Sequence, residues 1–295
     1  MKETYERPTI IKHDSGLANK FGRARTIRTV TAIDGVSVQS LIEAYGTPLF
    51  VFSEATLRRS YRQAHRAFTT RYPKVQFAWS YKTNYLDAVC QVFHSEGAWA
   101  EVVSEHEYAM ARRLGIPGDQ ILFNGPYKPV EALELAVEEG AHIHVDHFDE
   151  LYALEQIAQR RGEVVEVTIR LNMDTGVYPM WSRFGFNLDN GEALDAARRL
   201  HAGGHLRLTG LHAHIGTFML EPQAYYQSAA KMAAFAKEVE RDLAFPIETI
   251  DVGGGFASRN TLHGQYAPGE ESNPTVDDFA EAITSALLEA GFTPE

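Results

Sequence analysis

The chain of 295 residues contains one cysteine, Cys90. A single thiol cannot build an intramolecular disulfide framework or a cysteine-based zinc cluster, and it fits a reducing, cytoplasmic compartment. Positive charge is also scarce: 28 Lys and Arg stand against 39 Asp and Glu, a net charge of −11. That balance disfavours nucleic acid or an anionic membrane as the main partner. No apolar run approaches the roughly 18 residues of a transmembrane helix, and Met1-Lys2-Glu3-Thr4-Tyr5-Glu6 lacks the apolar core of a signal peptide. Low-complexity tracts are missing too. With 44% hydrophobic and 23% charged residues, a wholly disordered chain is excluded. The expectation is a soluble protein with one large α/β domain or two ordinary ones.

What is present is a strand–helix repeat. From Val75 onward, short β-rich apolar runs end in polar or glycine residues and are followed by amphipathic helices. The predicted strands cover 75–82, 99–104, 120–124, 142–146, 164–172, 206–215 and 247–252, and the helices between and after them begin near Tyr85, Glu105, Pro129, Phe148, Glu192, Pro222 and Val276. Leu133 and Val137, then Leu151, Leu154 and Ile157, give the stripe of helices that cover a sheet. Ser104-Glu105-His106-Glu107 reads as a capping box, and Thr275 with Asp278 resembles one. Ahead of the repeat, 1–28 reads as a mobile arm, Asp34-Gly35 as a hairpin turn, and Ser40–Tyr45 as a short helix. A further helix is predicted over 54–71.

Alternating elements of this kind predict a parallel sheet, doubly wound or closed into a barrel. Two details favour the barrel. The glycine triplet Gly253-Gly254-Gly255 follows the seventh strand rather than an early one, and polar residues (Lys82, Ser104, Asn124, Asn172, His214) gather where strands end. An eight-stranded barrel then needs one more strand, either at 49–52 or beyond the last helix.

Three features carry chemistry. Lys82 ends the first strong strand, where a lysine points into a barrel mouth and burial can free its amine as a nucleophile; a strand-capping surface lysine is the alternative. His212-Ala213-His214 ends the sixth strand, with both rings able to share one face. It reads as a metal pair of the metallohydrolase kind, or as one packed ring and one hydrogen-bonded ring. His142-Ile143-His144 has the same spacing and is read as structural. The glycine triplet lets backbone N–H groups approach an anion with no Cβ in the way, although a tight turn would also explain it. Lysine amine, stacking histidine and phosphate cradle together suggest pyridoxal 5′-phosphate and no metal.

On these residues the chain resembles the fold-type III pyridoxal-phosphate decarboxylases, the diaminopimelate, ornithine and biosynthetic arginine decarboxylase group. Tyr45-Gly46-Thr47-Pro48-Leu49-Phe50-Val51-Phe52 looks like the family's entry into its barrel, and Tyr81-Lys82-Thr83-Asn84 like its Lys-x-Asn. Glu101-Val102-Val103-Ser104, Phe123-Asn124-Gly125, Ile169-Arg170-Leu171-Asn172 and Arg183-Phe184-Gly185-Phe186 fall where its strand motifs lie. Gly210-Leu211-His212-Ala213-His214-Ile215-Gly216-Thr217 and Asp251-Val252-Gly253-Gly254-Gly255-Phe256 are similar to its ring-stacking and phosphate segments.

The resemblance implies a (β/α)8 TIM barrel of the alanine racemase-like type over 47–295, with 1–46 an arm and part of a β-sandwich domain. It implies Lys82 as the Schiff-base lysine and His214 as the ring-stacking residue, both catalytic. Glu101, Arg170, Thr217, Gly253, Gly254 and Gly255 join them as cofactor-binding residues. It implies a homodimer with the active site at its interface, acting on a basic or dicarboxylic amino acid. A racemase or epimerase on the same barrel, and a non-catalytic homologue that binds a partner enzyme, are the alternatives. The family's eighth strand with Glu-Pro-Gly-Arg, and the sandwich domain after it, are not found in the sequence. The barrel is therefore expected to be truncated before its last strand, and residues 1–295 alone to hold the cofactor weakly. The stretch between Asn172 and Arg183 is shorter than in diaminopimelate decarboxylases, which leaves the substrate open.

Overall fold

A computed structural model describes residues 29–260 and 269–294. The predicted arm over 1–28 lies outside the described residues. The chain divides into two compact units, one holding 29–51 with 260 and 269–272, the other 52–259 with 273–294.

In the smaller unit Asp34 and Gly35 both take positive φ, 48° and 81°. A two-residue hairpin turn demands that geometry. Ala32–Ile33 pairs antiparallel with Val36–Ser37, and the helix Val38–Tyr45 follows. Residues 49–52 join no strand, and Phe50 is 90% exposed. Without a ladder partner, this segment does not supply a barrel strand.

The larger unit is built on seven parallel strands: β1 (Ala78–Ser80), β2 (Trp99–Val102), β3 (Ile121–Phe123), β4 (His142–Val145), β5 (Val165–Asn172), β6 (Leu206–Ala213) and β7 (Thr249–Asp251). They lie side by side in chain order. A doubly wound sheet must reverse its strand order at a switch point; this sheet never does, so its winding is that of a barrel. Among the described residues no strand joins β7 to β1, and the sheet is a curled half-barrel. Phe186–Asn187 adds a short parallel strand beside the end of β5.

The helices cover the sheet where the apolar stripes predict: Glu54–Thr69 ahead of β1, Val276–Glu289 after β7, and one between each successive pair of strands. Leu151, Leu154 and Ile157 of the helix Phe148–Arg161 are sealed against strand residues such as Val145, Ile169 and Leu208. Each such side chain contributes about 1.5–3 kcal/mol. A second cluster lies at the other end of the sheet. Phe256, directly after the glycine triplet, stacks on Phe68 and Phe279 and meets Tyr225 with ring centroids 4.8 Å apart. Phe279 belongs to the helix Val276–Glu289, which Thr275 and Asp278 start with a full capping box. The box expected at Ser104 is half formed. Ser104 Oγ accepts the Glu107 N–H, but the Glu107 carboxylate takes the Val103 N–H instead of closing the box.

Candidate active site

Two neighbours in the turn just past β1 differ sharply in burial. Tyr81 is fully buried, and its hydroxyl donates to Nε2 of His94 at 2.8 Å, because the other ring nitrogen gives its proton to the Ala98 carbonyl. Lys82 turns to the strand-end mouth. Its side chain is 43% exposed, with Nζ 3.7 Å from Glu101 Oε1 on β2. The burial expected of this lysine is not found; the amine is open to solvent, beside a mostly buried counter-charge.

A chain of polar contacts continues across the barrel interior. Asn124, just past β3, donates from Nδ2 to Glu101 Oε1 at 3.3 Å and faces Nε2 of His212 at 3.1 Å. His212 Nδ1 lies 2.9 Å from Asp251 Oδ2, on the adjacent strand β7, and His144 Nδ1 approaches the same oxygen at 3.8 Å. Burial alone would raise the Asp251 carboxyl, but His212, His144 and the Gly253 N–H hold it well below the usual carboxylate range. His144 is kept neutral by burial and by His212 beside it. The spacing of His142 and His144 gave no reason to place His144 in a cluster. Its partners come from strands more than 60 residues further along the chain.

Arg170, on β5, does not reach the mouth as a free cation. It is buried, its guanidinium sits 3.4 Å from Asp146 and 4.8 Å over the Phe184 ring, and burial pulls its pKa down while Asp146 and Glu101 oppose that. Gly185 allows this packing: at φ 80°, an added Cβ would come within 2.7 Å of the Arg170 carbonyl oxygen. Thr217 is exposed on the turn after β6.

His214 stands at the end of β6, half-buried, with the Trp181 ring 5.7 Å away. Its pKa is lowered to about 4, first by burial and then by the neighbouring Lys82. The ring is neutral at physiological pH and offers a flat face. Tyr178, Met180 and Trp181 line a small cavity with it.

The three glycines do different work. Gly253 and Gly255 have φ of 67° and 91°, and a Cβ would come within 2.6 Å of the Ala213 oxygen and 2.0 Å of the Gly216 oxygen. They let the turn press against β6 and the chain after it. At Gly254 a Cβ would meet nothing within 4 Å. The Gly254 carbonyl accepts from Tyr225 and the Gly255 carbonyl from the Met219 N–H, whereas among the described residues nothing accepts the N–H groups of Gly254 and Gly255. Two free backbone donors beside open space fit an anion such as a phosphate.

Residues 54–291 match the family model "Pyridoxal-dependent decarboxylase, pyridoxal binding domain". The chain is 30% identical to the diaminopimelate decarboxylase of Bacillus subtilis over 269 residues, 87% of this chain and 59% of that protein. Against the diaminopimelate decarboxylase of Methanothermobacter thermautotrophicus the identity is 30% over 260 residues, 85% of this chain and 58% of that one. Among solved structures, the diaminopimelate decarboxylase of M. jannaschii in complex with L-lysine superposes with a TM-score of 0.79 at 26% identity, over 88% of this chain and 61% of that one. The chain thus spans somewhat less than two thirds of these relatives.

Proposed function

The chain belongs to the pyridoxal-dependent decarboxylase family through its pyridoxal-binding domain, and from that premise we propose that it takes part in decarboxylating a basic or dicarboxylic amino acid. Its cofactor is pyridoxal 5′-phosphate, which when bound draws electrons from the substrate's α-carbon. The observation that carries the reading is the convergence at one mouth of a solvent-open Lys82 amine, the neutral His214 ring and the two unclaimed glycine N–H groups.

Each residue has a separable task. Lys82 offers the amine that attaches the cofactor and can exchange a proton at Nζ, with Glu101 as its counter-charge. His214, uncharged, would offer a flat face to the cofactor ring without adding a second cation beside Lys82. Gly254 and Gly255 would hold the cofactor's phosphate through their N–H groups. Arg170 and Asp146 neutralise one another inside the barrel and support the β5 end of the site.

The relatives named diaminopimelate decarboxylase make meso-diaminopimelate the first substrate to try, followed by ornithine, arginine and lysine. We place the protein in the cytoplasm as a homodimer sharing its active site across the interface. Among the described residues no helix is long and apolar enough to cross a membrane. Release of CO2 from one of these amino acids supports the proposal. Loss of optical activity without CO2 points to a racemase or epimerase. Absence of any bound cofactor after reconstitution points to a non-catalytic homologue.

A further inference from the structure

A primary amide donates at one end and accepts at the other, so its neighbours decide which way it faces. Asn124, 2% exposed, accepts the Gly125 N–H at Oδ1 (2.8 Å), which leaves Nδ2 facing both Glu101 Oε1 and Nε2 of His212. The opposite orientation would set Oδ1 against a carboxylate oxygen and Nδ2 against a backbone N–H. With Nδ2 donating, Nε2 of His212 is the bare nitrogen and the single ring proton lies on Nδ1. That nitrogen lies 2.9 Å from Asp251 Oδ2, an electrostatic contact in which the N–H is not aligned for a hydrogen bond, and the other Asp251 oxygen accepts the Gly253 N–H at 2.8 Å.

The same cluster has a second possible use. His144, His212 and Asp251 each offer an atom within 4.8 Å of the others, close enough to share a metal ion. A metal on Nδ1 of His212 would require that nitrogen bare and Nε2 protonated, setting an N–H against the Asn124 NH2. The amide orientation therefore favours a proton over a metal on Nδ1 of His212.

We propose that Asn124 is a positioning residue. By fixing His212 as the Nδ1–H form, it sets the positive end of that N–H dipole beside the Asp251 carboxylate, and Asp251 in turn holds the N–H of Gly253, the first residue of the glycine turn. The open N–H groups of Gly254 and Gly255 are thereby oriented from the barrel interior by a side chain on β3 that does not touch the anion. The consequence for phosphate binding rests on the cofactor reading above; the tautomer does not.

Protein labelled with 15N-histidine, studied by long-range 1H–15N correlation without added ligand, tests the chain directly, with His212→Asn identifying the His212 signal. The expected result is a protonated Nδ1 and a bare Nε2. A protonated Nε2, or a stoichiometric metal that shifts Nδ1 and survives dialysis, overturns the proposal. Affinity for pyridoxal 5′-phosphate, read by fluorescence titration, follows the turn. Asparagine places its amide nitrogen near the Nδ1 position and glutamine near Nε2. His212→Gln and Asn124→Leu should therefore lose affinity by about tenfold more than His212→Asn. Equal losses in the two His212 variants would overturn the positioning role. The expected tautomer in a wild-type protein that binds no pyridoxal 5′-phosphate would contradict the cofactor reading while leaving the chain from Asn124 to Gly253 intact.

Discussion

Lys128 Nζ lies 2.8 Å from Glu150 Oε1, with both side chains sealed from water. The ammonium also donates to the carbonyls of Gly125 and His144, and Glu150 Oε2 accepts the Asp146 N–H. One buried pair thus ties the loop after β3, the end of β4 and the helix Phe148–Arg161 together, just behind Asn124 and Arg170. Burial pushes the Lys128 pKa down, and Glu150 opposes it.

Removing one partner leaves the other charged and unpaired. Lys128→Met should destabilise the fold by about 3–5 kcal/mol. The double variant Lys128→Met, Glu150→Leu should recover a large part of that loss. Urea unfolding of the three proteins checks this, and a double variant no more stable than Lys128→Met would contradict it.

The glycine turn predicts a split between stability and ligand affinity. Gly254→Ala adds a methyl to open space and should unfold within about 1 kcal/mol of the parent, yet bind pyridoxal 5′-phosphate about tenfold more weakly. Gly253→Ala and Gly255→Ala force a Cβ onto backbone at positive φ and should lower the melting temperature outright. Thermal melts beside binding titrations separate the two classes.

His214 gives a pH signature of defined sign. Its folded pKa of about 4 lies below the ordinary 6.5, so between those values the unfolded chain binds more protons than the folded one. Stability contributed by the neutral ring is full above about pH 6.5 and falls as the pH drops towards 4. His144 shifts in the same direction. Unfolding free energies measured from pH 7 to 4 should decline less steeply for His214→Phe than for the parent. The same variant should keep more cofactor than His214→Ala, because it preserves a flat ring. His212→Ala, which leaves that stacking ring in place, is expected to retain more cofactor than His214→Ala; the reverse order would mean that the other histidine carries the ring.

The order of elements was legible because each repeat carries a local period: helices near Glu105, Phe148, Glu192, Pro222 and Val276 start where the apolar stripes and caps place them. Strand ends were less so. The run 75–82 is a strand only over Ala78–Ser80, although the Phe77 carbonyl still accepts the Trp99 N–H and the Tyr81 N–H still donates to the Glu101 carbonyl. Lys82, His214 and the glycine triplet could be singled out because they lie at strand ends. The grouping of His144, His212 and Asp251 could not, because polar contacts across parallel strands join residues far apart in sequence, and no short spacing records them. Arg170 was named through the family resemblance, and its contacts with Asp146 and Phe184, 24 residues before it and 14 after it, were not legible in any short spacing.

The attachment point of the cofactor tests the account most directly. Protein incubated with pyridoxal 5′-phosphate, reduced with borohydride and digested for peptide mass mapping should carry the pyridoxyl group on Lys82. A label on the buried Lys128, or on Lys74, would contradict the assignment of Lys82 and the reading of the site built around it.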